Sequence, residues 1–151
     1  MLLLLVAHYD RIGCSNAYLK AGSSKNPQYI PVHDIQKAIT DSQVDTLLAF
    51  HAITGCDSVS QFSGHGKKKA WQVFQQHHND LSDLGKGPLT DDMVASAEKF
   101  ICKIYGVAEV TCNKARVKLF CKGFTQENLH PTSDAVKLHI MRSHYHALIW
   151  N

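Results

Sequence analysis

Hydrophobic and polar positions divide the 151-residue chain into an opening of short extended runs and a longer remainder with helical spacing. MLLLLVA is apolar without alternation, the pattern of a strand buried on both faces of a parallel sheet. His8, Tyr9, Asp10 and Arg11 follow at once. The run therefore lacks the basic segment, the roughly 7–15-residue apolar stretch and the cleavage site of a secretory leader. With nothing upstream of it, it reads as a strand whose beginning is missing. Gly13 to Gln28 is polar and reads as a loop or twisted ribbon, and Tyr29 to Val32 forms a second short strand. Pro31 places that strand at an edge or an end, because proline cannot donate to a ladder.

From His33 or Asp34 the period becomes helical. A short helix runs to about Thr40, and Ser42 caps a second with Val44, Leu47, Leu48 and Ile53 on its buried side, ending at Gly55. A third carries Ala70, Trp71, Val73 and Phe74 as its apolar stripe, with Lys67, Lys68 and Lys69 in its first turn. His77 to Pro88 is polar and reads as a linker within the fold. Thr90 then caps a helix with Asp91 and Asp92 at its positive end and Met93, Ala97, Phe100, Ile101 and Ile104 at helical spacing, stopped by Gly106. A shorter helix around Asn113 to Cys121 and a last one from Ser133, with Leu138, Met141, Tyr145 and Leu148 on one face, complete the pattern. There is no internal repeat, no low-complexity tract and no segment long enough to span a membrane.

Composition adds limits. With 44% hydrophobic and 19% charged residues, the chain can build a domain with a real core. A formal charge of +3 permits nucleic-acid binding without demanding it, so local clustering must carry that argument. Cys14, Cys56, Cys102, Cys112 and Cys121 are odd in number and unpaired in spacing, which favours reduced thiols in an intracellular protein.

Chemistry concentrates between Gly55 and Lys69. Asp57 follows a helix end and a tight Gly-Cys pair, where a carboxylate is placed either as a turn cap or as an oxygen ligand for a hard cation such as magnesium. Gly64-His65-Gly66 supplies backbone able to approach a phosphate, ahead of a helix whose amides point toward an anion. Three lysines in a first turn oppose the helix dipole, a cost that an anionic partner removes; the alternative is a solvated basic face. His139, His144 and His146 with Cys102, Cys112 and Cys121 show none of the close pairs of a zinc finger. His51 and Cys56 read as a packed imidazole and a small buried thiol rather than a catalytic pair.

The segment GCDSVSQFSGHGKKKA resembles the part of the flap endonuclease and XPG family of structure-specific nucleases in which an acidic metal ligand precedes a helix-two-turn-helix motif. Gly55, Cys56, Asp57, Gly64, Gly66, Lys68 and Ala70 fall on that pattern without a gap, and LLAFHAITGCD resembles its apolar lead-in. Tyr29 to Thr40 resembles the strand and helix before it. HPTSDAVKLHIMRSHYHALIW is similar to the ends of uncharacterised, transposon-associated animal proteins carrying such a domain.

The resemblance implies an α/β fold. Residues 1–57 would be the C-terminal part of a PIN-like nuclease core with short parallel strands and helices. Residues 58–79 would be a helix-two-turn-helix DNA-binding hairpin, and 80–151 a mainly helical extension. It implies that Asp57 is a ligand and catalytic acid of a two-magnesium site that hydrolyses phosphodiesters. The backbone from Gln61 to His65 would hold a monovalent cation, although Gln61 stands where a serine is frequent. Gly64, His65, Gly66, Lys67, Lys68 and Lys69 would grip duplex or branched DNA in the nucleus. The family's Asp-x-Asp pair, expected before the strand resembling Leu2 to Val6, has no counterpart, and Asp10, Asp34, Asp41 and Asp45 do not match the other acids. The chain alone is then expected to be a poor nuclease or none, unless an upstream segment completes the core. A non-enzymatic duplex-binding module and an inactive remnant of a mobile element are the alternatives.

Overall fold

The computed structural model describes residues 1–125, 129 and 131–151. His130, which opens the carboxy-terminal segment singled out above, lies outside them. Their architecture is mixed, with eight α-helices and one two-stranded antiparallel ribbon among the described residues.

The expected parallel strands are not formed among the described residues, whose only sheet is antiparallel. Leu2–Ala7 is helix α1, which buries Val6 completely and half-buries its leucines. A strand buried on both faces needs a sheet to join, whereas leucine is a strong helix former and a helix satisfies its own backbone. A four-residue turn of helix, α2 (Tyr9–Ile12), leads to the ribbon β1 (Tyr18–Ser23) and β2 (Asn26–Pro31), which joins the segment that reads as loop or ribbon to the expected strand at Tyr29. Tyr18 pairs with Pro31 and Ser23 with Asn26, so the proline stands at the end of the ladder. Helix α3 (Val32–Lys37) follows, with Val32 and His33 buried.

Helix α4 (Asp41–Ile53) is the centre. Thr40, two residues before the expected Ser42, is its cap: its hydroxyl accepts from the Gln43 N–H while the Gln43 side chain accepts from the Thr40 N–H. From Thr46 to Ile53 every residue except His51 is buried, because α1, α8 and a 3-10 turn all pack around it. Helix α5 (Lys67–His77) lays Ala70 and Phe74 against it, and the Phe50 ring lies 4.6 Å from Phe74 and 5.5 Å from Trp71.

The polar stretch from His77 to Pro88 is docked rather than free. It contains the 3-10 turn His78–Leu81, buries Leu81 and Leu84, and is held to the last helix by His144, whose Nδ1 accepts from Gly85 N–H and whose Nε2 bonds the Gly87 carbonyl. Helix α6 (Asp91–Ile104) has the expected Thr90 cap and buries Ala97, Phe100, Ile101 and Ile104. Helices α7 (Cys112–Cys121) and α8 (Ser133–Trp150) complete the chain. Leu138, Met141, Tyr145 and Leu148 do share a face of α8, but it is exposed. The inner face carries Val136, His139, Ile140, Ser143, His144 and Ala147, whose polar members all find partners. One apolar cluster runs from Val6 through Phe62 and Phe74 to Ile140, so the amino-terminal part, the hairpin and the extension share a core.

A buried carboxylate ties α6, α7 and α8 together. Glu98 accepts from the Cys112 N–H at the start of α7 and from the Ser133 hydroxyl at the start of α8, both at 2.6 Å. Ser133 and Asn113 bond reciprocally beside it. Glu98→Ala leaves a buried N–H and hydroxyl unpaired and is expected to cost about 2–3 kcal/mol in urea denaturation. Glu98→Gln, which still accepts, should cost less.

Candidate functional site: the α4–α5 hairpin

Two consecutive tight turns join α4 to α5. In the first, Cys56 and Val59 pair their backbones, N–H to carbonyl in both directions at 2.9 and 3.3 Å, which sets Asp57 and Ser58 at the tip. In the second, the His65 N–H reaches the Phe62 carbonyl at 3.2 Å. Gly55 makes the entry possible. It has φ +96°, and a Cβ there would fall 2.7 Å from Cα of Gln61, so both conformation and space require glycine. Gly64 has φ +71° in open space, while Gly66 is extended and caps α5. Phe62 pins the second turn inward, 6% exposed, its ring 4.8 Å from His139 and 6.1 Å from Tyr105.

The three lysines separate. Lys67 turns inward, where its ammonium donates to the His51 carbonyl at 3.1 Å, the Thr54 hydroxyl at 2.8 Å and the Gly55 carbonyl. It thus places a positive charge on the negative end of α4. Burial draws its pKa down to about 8. Lys68 and Lys69 are exposed, and Lys69 Nζ lies 2.9 Å from His65 Nδ1. No carboxylate pairs with either among the described residues. The His65 ring in turn meets Tyr105 edge-on at 4.1 Å.

Asp57 is exposed at its turn tip and lines two hollows that it shares with His51 and Cys56. Among the described residues no three carboxylates, imidazoles or thiols converge to hold a metal. Asp57 by itself does not fit a two-magnesium site, which needs several oxygen ligands. For a monovalent cation at Gln61 to His65, the Phe62 carbonyl already accepts from His65. Four of the six residues weighed as zinc ligands are engaged elsewhere. His139 bonds the Ile53 carbonyl at 2.8 Å, His144 holds Gly85 and Gly87, and the Cys102 and Cys112 sulfurs lie 3.7 Å apart in the core.

His51 stacks on Trp150 at 5.3 Å, and its Nδ1 is buried without a partner. Burial first, then the Lys67 charge, draws its pKa down to about 4. Reading the sequence alone missed the inward Lys67, because that contact is made across two turns. It also missed Arg142, although His139 and Arg142 lie three residues apart on α8 and so share a face.

The chain matches no protein-family model, no curated protein and no solved structure. Among the described residues no helix is long and apolar enough to cross a membrane.

Lys67→Met removes the cation that caps the end of α4 and strands its acceptors, so it should lower stability by about 2–3 kcal/mol in denaturant titration. The His51 and His139 pKa values are both lowered in the folded state, so the unfolded chain binds more protons in acid. The His51 contribution is complete above pH 6.5 and is lost as pH falls toward about 4, and that of His139 is lost in the same direction. His51→Phe, which keeps the stacking on Trp150, should flatten the pH dependence of the unfolding midpoint over that window.

Proposed function

We propose that the α4–α5 hairpin binds the backbone of duplex or branched DNA, and that the chain is the DNA-gripping part of a metal-dependent, structure-specific nuclease of the flap endonuclease and XPG type. One observation carries the reading. Lys68 and Lys69 stand exposed in the first turn of an eleven-residue helix with no acid in that turn and no carboxylate beside them among the described residues. Their charges stand on the positive end of the helix dipole, an unfavourable placement, and a phosphate backbone relieves both at once. The two turns and the left-handed Gly64 support it, since they are the features that the resemblance of Gly55 to Ala70 calls for. The free cysteines accord with an intracellular, nuclear protein.

Hydrolysis is assigned to these residues only in combination. Asp57 offers one carboxylate, so the remaining magnesium ligands would come from polypeptide beyond residues 1–151 or from another chain. The solitary position of Asp57 favours a second reading, in which the hairpin is a non-enzymatic DNA-binding module.

Duplex binding measured by fluorescence anisotropy should weaken as salt rises. Lys68→Ala with Lys69→Ala should reduce the log–log salt slope by about 1.8, at roughly 0.9 per phosphate contact. Asp57→Asn should leave affinity near that of the unmodified protein. Absence of binding at low salt would remove the DNA reading in both forms and leave an inactive remnant. Magnesium-dependent cleavage of a flap substrate by residues 1–151 would overturn the need for further acids.

A further inference from the structure

A further hollow, of mixed polar and apolar lining, lies between the hairpin and α8. It has a volume of about 360 Å³; its polar groups come from Ser60, Gln61 and Ser63 of the hairpin, Tyr105 just after α6, and His139 and Arg142 of α8, and the rest of its wall is apolar. No acid lines it. The Arg142 guanidinium and the Ser60 and Ser63 hydroxyls have no hydrogen-bond or ion-pair partner among the described residues, and all three residues are exposed. His139 donates Nε2–H to the Ile53 carbonyl and has its pKa lowered by burial, so Arg142 supplies the charge of the hollow.

We propose that this hollow is a second phosphate-binding subsite, in which the Arg142 guanidinium and the serine hydroxyls hold a nucleic-acid backbone phosphate. The inference rests on the DNA reading of the hairpin and extends its footprint onto α8. A guanidinium fork matches two phosphate oxygens, and hydroxyls without partners can donate to the others. The surface is also continuous with the exposed lysines. Lys69 touches His65, His65 lies on Tyr105, and Tyr105 forms the wall of the hollow. A backbone leaving Lys68 and Lys69 in that direction would pass the Tyr105 wall to reach Arg142, with no carboxylate among the described lining residues.

The test is duplex binding across a salt series with the full chain, Arg142→Gln, Arg142→Lys and the Lys68/Lys69 double alanine variant. Arg142→Gln should reduce the log–log slope by about 0.9, which is about eightfold in affinity at 0.1 M salt. Arg142→Lys should keep the slope and lose only part of the affinity, because the charge stays and the fork is lost. Arg142 is exposed, so thermal unfolding of both variants should match the unmodified protein. Wild-type affinity and slope in Arg142→Gln, alongside weakened binding in the double alanine variant, would overturn this subsite and leave the hairpin reading standing. Equal changes of slope in Arg142→Gln and Arg142→Lys would assign Arg142 to packing and overturn it as well. No duplex binding by the unmodified chain would remove both.

Discussion

The carboxyl end of α4 is the constraint from which the rest of the structure follows. A helix leaves its last four carbonyls without intrahelical partners, and here that end lies inside the protein, where water cannot satisfy them. All four are met. Phe50 accepts from the Thr54 N–H and hydroxyl, His51 from Lys67, Ala52 from the Gly55 N–H, and Ile53 from His139. The donors come from three places in the chain: the turn itself, the first residue of α5, and the middle of α8. Satisfying one buried helix end therefore fixes the hairpin and the last helix together.

That arrangement sorts the charges of the hairpin. Lys67, drawn into α4, cannot also face a ligand, and its withdrawal sets Lys68 and Lys69 on the outer side of the same turn. Gly55 permits the sharp exit from α4, and Phe62 anchors the loop against His139 and Tyr105. The surface offered to a partner is thus held by packing beneath it rather than by its own flexible residues. His51, under the same turn and stacked on Trp150, joins the helix end to the chain's last turn.

Much of this was legible in the sequence where local chemistry decides it. The Thr90 cap, the stripe of α6, the lysine-bearing start of α5 and the last helix from Ser133 all follow from caps and helical period. The leucine run was misread because a short apolar stretch has the same appearance as strand or helix, and only its neighbours decide between them. On α8, helical period grouped Leu138 with Met141 and Tyr145, yet the buried face is the one bearing two histidines and a serine. Residue type could not reveal that both histidines meet backbone groups distant in sequence, while Ser143 bonds back to the His139 carbonyl. In the hairpin, spacing located Gly55, Asp57 and the lysines, but not which lysine turns inward, since that depends on a helix end it reaches across two turns.

Glu98 has a wider meaning than its two short hydrogen bonds. One carboxylate on α6 serves the first turns of α7 and α8, so none of these three helices can fray at that corner without disturbing the others. Changes at Glu98, Asn113 and Ser133 are then coupled rather than independent, and a double substitution among them would cost less than the two single losses added together. The shared carboxylate links the carboxy-terminal helices at one corner. A cation on α8 inherits the rigidity of that corner even though its own side chain lies in solvent.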